Sequence, residues 1–223
     1  MYKHFLITRF NVKNIDWTTD KNKTSVNDNV WLEDRFCLFD KFCFPSVHSN
    51  IIKSEFVWLV FFDLNTPLIF RHKIEEYQIL FPQFRPLFID DMSHLQVAIK
   101  QQIAADVDSE TKYIITTRVD NDDSLHQDAM KSIHEYVEKN DIKSGLVDLT
   151  RGLCMQIEPH FQIRSCIYYS SPFISCVEPY AGYDHLKTVM HRPHHKWFSR
   201  LPTYELDDKP LWIQLIHAKN MAN

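Results

Sequence analysis

Phe56-Val57-Trp58-Leu59-Val60-Phe61-Phe62 is an unbroken apolar run, and Asp63 closes it. A strand that shows one face to water alternates apolar and polar residues, so a strand without alternation is covered on both faces. Helices packed on either side of a parallel sheet provide that cover, and this one run directs the chain toward an α/β architecture. The flanking sequence agrees. Phe5–Phe10 reads as a first strand, residues 86–89 as a third and residues 113–119 as a fourth, with 56–62 as the second. The intervening patterns are helical. Trp31, Leu32, Phe36, Phe39 and Phe42 or Cys43 share a face, and Pro45 is expected to stop that helix soon after. A short helix is expected over about 73–80. Leu95, Ile99, Ile103 and Val107 recur every four residues behind a Ser93/Gln96 capping box, and Leu125, Ala129, Ile133 and Val137 follow a Ser124/Gln127 box. The order β-α-β-α-β-α-β-α, closed by right-handed crossovers, gives a Rossmann-type, mostly parallel sheet with helices on both faces.

The second half reads differently. Ser144–Ile157, Gln162–Tyr169 and Phe173–Val177 are strand-like with short turns, punctuated by Pro159, Pro172 and Pro179. A basic, His-rich stretch, Tyr183–Arg200, precedes the apolar closing segment Leu211–His217. Residues 13–29 are polar and read as a loop, and no linker divides the 223 residues into two domains.

Composition narrows the function classes. A net charge of −4 argues against a nucleic-acid binder, which would show a basic face. Five cysteines without a CxxC pair fit a reduced, cytoplasmic protein better than a disulfide framework or a structural zinc. The start, Met1–Phe5, has no long apolar stretch behind it, so no signal peptide is expected, and no run is long enough to span a membrane. Peripheral membrane contact stays open. With only three glycines there is no GxGxxG, no Walker A loop and no GxSxG elbow. Phosphate binding here has to rely on a metal and on side chains.

The fourth strand runs into Asp120-Asn121-Asp122-Asp123. Carboxylates this close repel one another and need a countercharge, either a divalent cation or basic side chains. Magnesium and manganese bind one or two carboxylates together with phosphate oxygens, which suits a nucleotide diphosphate. The plainer reading makes Asp122-Asp123-Ser124 the cap of the next helix. In open α/β sheets ligands bind at the carboxyl ends of the strands, and there the chain carries Thr8, Arg9 and Asn11, then Asp63, Asp90 and Asp91, then Arg118 through Asp123. Arg118 shares a strand face with Asp120, placing it either in a salt bridge to these acids or beside a phosphate; Arg9 has the same two roles open. His185, His191, His194, His195 and His217 are candidate imidazole ligands, with a solvated basic loop as the alternative for the first four. Lys187, Arg192, Lys196 and Arg200 are placed in sequence to steer an anion.

Several stretches together resemble the bacterial rhamnosyltransferase family. They are Thr8-Arg9-Phe10-Asn11-Val12; Trp31-Leu32-Glu33-Asp34-Arg35-Phe36 with Pro45-Ser46-Val47; Trp58 to Asp63; Thr117 to Asp123; and Trp212 to Asn220. The resemblance runs from about residue 4 to residue 223. It implies a single GT-A-like glycosyltransferase domain over 1–223, with 1–140 binding the nucleotide sugar and a β-rich, His-rich 141–223 on the acceptor side. A DxD motif would then hold Mn2+ or Mg2+ against the donor's diphosphate. Asp120, Asp122 and His217 would be the metal ligands, with Asp120 also near the ribose or sugar and Asp123 open to either role. Thr8, Arg9, Asn11, Asp63, Arg118, Asp120 and Asn121 would bind the nucleotide sugar. The partners implied are a nucleotide diphosphate sugar and a glycan or polysaccharide acceptor. An inverting transfer needs a carboxylate to deprotonate the acceptor, and Asp184, then Glu178, are the candidates, each equally readable as a surface acid or a cap. A metal-dependent nucleotidyltransferase or phosphohydrolase would also use these acids, and so would a non-catalytic nucleotide- or glycan-binding module.

Overall fold

The computed structural model describes residues 1–14, 27–50, 54–198 and 200–217. Most of the polar 13–29 segment, and the residues after His217, lie outside them. β1 (Tyr2–Arg9), β2 (Val57–Asp63), β3 (Phe84–Ile89) and β4 (Tyr113–Arg118) are parallel, with β1 between β2 and β4. The central run is covered on both faces as its composition requires: Trp58 through Phe62 are each 0% exposed. From β1 the chain builds outward through β2 to β3 and then returns to the other side of β1 for β4. The strand order therefore reverses between β1 and β4.

The second half extends this same sheet. β6 (Gly145–Leu149), β9 (Ile174–Pro179) and β10 (Thr203–Leu206) give the order β10-β6-β9-β4-β1-β2-β3, with β9 antiparallel to both of its neighbours. A second sheet, β5-β11-β7-β8, comprises β5 (Ser124–Leu125), β7 (Arg151–Gln156), β8 (Gln162–Ile167) and β11 (Trp212–Ile216). The expected strand region 144–157 is thus two strands in different sheets, parted at Thr150.

Alternate residues of the large sheet feed two cores. Leu6, Trp58, Val60 and Phe62 pack with α1 (Asn29–Leu38), α3 (Leu68–Leu80) and α5 (Ala129–Lys139). Phe5, Ile7, Leu59 and Phe61 pack with α4 (Leu95–Asp106) and with Leu186, Val189 and Trp197 from the His-rich stretch.

Pro45 does not end the first helix. After α1 a π-helical turn, Phe39–Cys43, leads into α2 (Phe44–His48), where Pro45 sits in the first turn and needs no amide partner. Neither capping box forms. Ser93 folds back onto Asp91, so α4 starts at Leu95 without a side-chain cap. Ser124 lies in β5 and donates to the Phe42 carbonyl, so α5 starts four residues later than that box requires. The apolar stripes of both helices are where the spacing puts them, with Leu95, Ile99 and Ile103 buried on one and Ala129, Ile133 and Val137 on the other.

Candidate active site

Where strand order reverses in an open α/β sheet, the flanking loops part and leave a crevice at the carboxyl ends. Here those ends are Arg9–Asn11 on β1 and Arg118–Asp123 after β4. Asn121 fastens the two together, its Nδ2 donating to the Phe10 carbonyl at 2.8 Å. The acidic residues then fan out. Asp120 is the accessible one, its side chain 39% exposed, and Arg118 Nη2 reaches both its carboxylate oxygens at 3.1 Å. Arg9 Nη2 lies 3.7 Å from the same group. Burial pushes the Asp120 carboxyl up, but Arg118 and Arg9 outweigh it and hold it below the usual carboxylate value. Among the described residues, the buried Nε atoms of both arginines lack a hydrogen-bond partner.

Asp122 points inward, and its countercharge is Arg35 of α1, with Nη1 to Oδ2 at 2.6 Å. His217, at the end of β11, brings Nε2 to 3.0 Å from the same Oδ2. Asp123 accepts the Leu215 amide at 2.8 Å and so ties the acidic loop to β11. Burial, then Asp122 and Asp120, drive its carboxyl well above the usual range. These bonds overturn the cap-only reading, because Asp122 and Asp123 are spent on Arg35, His217 and β11 and not on the start of α5.

Other expected site residues support the strand ends without facing the crevice. Thr8 is 0% exposed and its hydroxyl accepts the Trp58 indole N–H at 2.9 Å, so it is a core residue. Asn11 bridges to Thr66 Oγ1 at 3.1 Å and accepts the Asp63 amide at 3.2 Å. Asp63 in turn accepts the Asn65 amide and shapes the turn after β2. His217 is 5% exposed, because β11 delivers it onto buried Asp122.

The two carboxylates expected to act as base lie elsewhere. Because β9 runs antiparallel to β4, Glu178 pairs with Ile114 at the start of β4, roughly 20 Å of strand from Asp120. It is occupied there, accepting the amides of Lys187 and Thr188 at 2.9 and 2.8 Å. Asp184 is exposed in a 3-10 turn beyond that same far edge. The chain then runs back beneath the sheet and brings His194 close enough to Asp120 and Arg118 to interact electrostatically. His194 Nδ1 lies 2.8 Å from the Ser170 carbonyl, and a carbonyl can only accept. The neutral ring therefore carries its proton on Nδ1 and its lone pair on Nε2. Burial lowers its pKa below the ordinary value.

The residues for a divalent cation are fewer than the sequence suggested. Asp122 and His217 meet at one point, but the proton between Nε2 and Oδ2 and the Arg35 guanidinium already occupy it, so a divalent cation there would have to displace that proton and share Asp122 with Arg35. Asp120 does not join them, being held by two guanidinium groups. Among the described residues no three His, Cys, Asp or Glu side chains converge on one point. Arg35, bound to the same Asp122 oxygen, is the residue that sequence reasoning missed. Its signal was present, since it lies four residues from both Trp31 and Phe39 on an otherwise apolar helical stripe.

A family model described as "Putative rhamnosyl transferase" matches residues 3–223. No curated protein sequence matches the chain. Among solved structures, S. aureus TarS 1-349 is similar at a TM-score of 0.53 and 13% identity, covering 96% of this chain and 60% of that one. The same protein in complex with UDP-GlcNAc gives 0.53 at 12% identity, over 98% and 60%. At such identities the likeness establishes a shared, GT-A-like fold, and the present chain spans about 60% of the length of those TarS chains. Among the described residues no helix is long and apolar enough to cross a membrane.

Proposed function

The chain belongs to the family described as "Putative rhamnosyl transferase", and from that membership we propose that it transfers a sugar, rhamnose in our reading, from a nucleotide diphosphate to a glycan acceptor. The observation that carries this is the placement of Arg9 and Arg118 at the β1/β4 switch point, with unspent Nε–H donors beside an exposed Asp120. Guanidinium forks with free donors suit phosphate oxygens, and a carboxylate between them suits sugar or ribose hydroxyls. TarS holds UDP-GlcNAc and UDP in its solved complexes, which supports a nucleotide sugar as the ligand class here.

In the transfer, the acceptor oxygen attacks the anomeric carbon while the bond from that carbon to the diphosphate oxygen breaks. Negative charge then grows on the diphosphate, and Arg9 and Arg118 stabilise it. Asp122 and His217 would hold a divalent cation, which supplies Lewis-acid neutralisation of the same charge. Arg35 holds the Asp122 carboxylate in place. In an inverting transfer the acceptor hydroxyl gives up its proton, and His194 Nε2 is the acceptor we assign, in place of Asp184 and Glu178.

Isothermal titration with uridine and deoxythymidine diphosphate sugars, with and without manganese, tests the donor site. Arg118→Met should weaken binding by roughly 10- to 100-fold, as expected for loss of charged hydrogen bonds. His194→Gln should leave donor binding intact and abolish product. Wild-type protein that binds no nucleotide sugar under either condition would refute the proposal.

A further inference from the structure

Away from this site, β7 and β8 run antiparallel, with Gly152 opposite Cys166 and Cys154 opposite Arg164. Cys154 and Cys166 are therefore diagonal neighbours on one face of the small sheet, and their sulfurs are 2.6 Å apart. Two unbonded sulfurs in ordinary contact sit about 1 Å farther apart, whereas a disulfide needs about 2.05 Å, so little more than a rotamer adjustment separates this pair from bonding. Both thiols are free. Cys154 is buried, Cys166 is partly exposed, and a cavity of about 150 Å³ opens onto both, lined also by Arg164, Tyr168 and Ile216. β8 is the outer strand of its sheet and is exposed along nearly its whole length.

We propose that Cys154 and Cys166 form a reversible oxidation site, closing to an intrachain disulfide when a peroxide reaches the cavity. Cys166, the accessible thiol, reacts first: its thiolate sulfur attacks one peroxide oxygen, the S–O bond of a sulfenic acid forms as the O–O bond breaks, and hydroxide leaves. The Cys154 thiolate then attacks that sulfur. The S–S bond forms as the S–O bond breaks, and the second hydroxide departs. With the two thiol protons taken up, two thiols are oxidised to one disulfide and the peroxide is reduced to two waters. Burial first, and then its contact with the Cys166 thiol, push Cys154 up to about 11. Closure is therefore slow at neutral pH and accelerates as pH rises. The bridge fastens the exposed strand β8 to β7, which pairs with β11 through Cys154 and Gln214.

The test uses the folded protein carrying Cys37→Ser, which removes an exposed thiol and with it most intermolecular bridging. After hydrogen peroxide treatment the thiol count should fall by two, with loss of two hydrogens in mass and a cross-linked peptide joining residues 154 and 166. Dithiothreitol should reverse all three. The melting temperature should rise by roughly 5–10 °C, the entropic effect of closing so short a loop in a domain this size. Cys154→Ser and Cys166→Ser, each expected to fold because serine is close to isosteric, should each abolish the cross-link. Oxidation that adds oxygens to either sulfur without cross-linking, or that bridges only between chains, would overturn the proposal, as would an unchanged thiol count.

Discussion

Arg35 occupies a position that an aliphatic residue would fill in most amphipathic helices. Its guanidinium lies 5.0 Å from the Trp31 ring centroid and its Nη1 reaches Asp122 at 2.6 Å, with side chains only 7% and 10% exposed. Removing one partner of such a buried pair leaves the other charged and desolvated, so Arg35→Met should cost about 3–5 kcal/mol in urea denaturation. Pairing it with Asp122→Asn should recover much of that loss, and additive effects in the double mutant would mean that the two residues are not coupled. A second pair, partly buried, contributes to the pH response. His4 Nδ1 lies 2.7 Å from His134 Nε2, while His4 Nε2 lies 2.7 Å from Thr117 Oγ1. Burial lowers both rings, His134 to about 4 and His4 well below its ordinary value, with the neighbouring imidazole adding to the shift on His4. The unfolded chain thus binds more protons than the folded one below about pH 6.5. The contribution of these two rings should be complete above that pH and be lost as the solution is acidified toward pH 4, by at most about 1.4 kcal/mol per pH unit for each ring. His134→Gln should flatten that slope when melting temperature is followed across the range.

Among the elements, β7 owes its close packing to a glycine. A Cβ built on Gly152 would meet the Trp212 ring at 2.0 Å, so the indole of β11 lies flat against bare backbone. That ring is also sandwiched, stacked on Phe173 at 4.6 Å and on Tyr168 at 5.7 Å. Gly152→Ala should displace Trp212 and cost about 1–3 kcal/mol, the usual penalty for overpacking, with a change in tryptophan fluorescence. An unshifted spectrum and melting point would mean that the strand gives way without strain. Which elements were legible from sequence follows from the same physics. Runs such as 56–62 and stripes such as Leu95-Ile99-Ile103 were read correctly, because burial imposes their periodicity. The capping boxes at Ser93 and Ser124 were not, because a hydroxyl can satisfy Asp91 or a distant Phe42 carbonyl as well as a helix amide. β5 and β10, at two and four residues, are too short to carry a pattern, and partners far away in sequence define them.

At the scale of the whole molecule, apolar runs revealed strands but not their neighbours. The first half was expected to form the nucleotide-binding unit and the second half the acceptor side, yet β9, β6 and β10 continue the first-half sheet past β4. This mixing explains why Glu178 lay beyond reach: an antiparallel β9 carries its last residues back to the amino-terminal edge of the sheet. It also explains why His217, at the far end of the described chain, meets Asp122, since β11 pairs with β5 immediately after the acidic loop. One core contains residues of α1, α3 and α5 together with Leu149, Phe173 and Trp212 from the second half. Without the second half, β4 would lose β9 and become an open edge paired only with β1, and Asp122 would lose His217. A fragment ending at residue 140 should therefore keep helical far-ultraviolet signal while losing near-ultraviolet signal and binding a hydrophobic dye, without a cooperative melting transition. A fragment that instead melts cooperatively with dispersed amide resonances would show that the first half folds by itself, and that the second half only builds on a finished sheet.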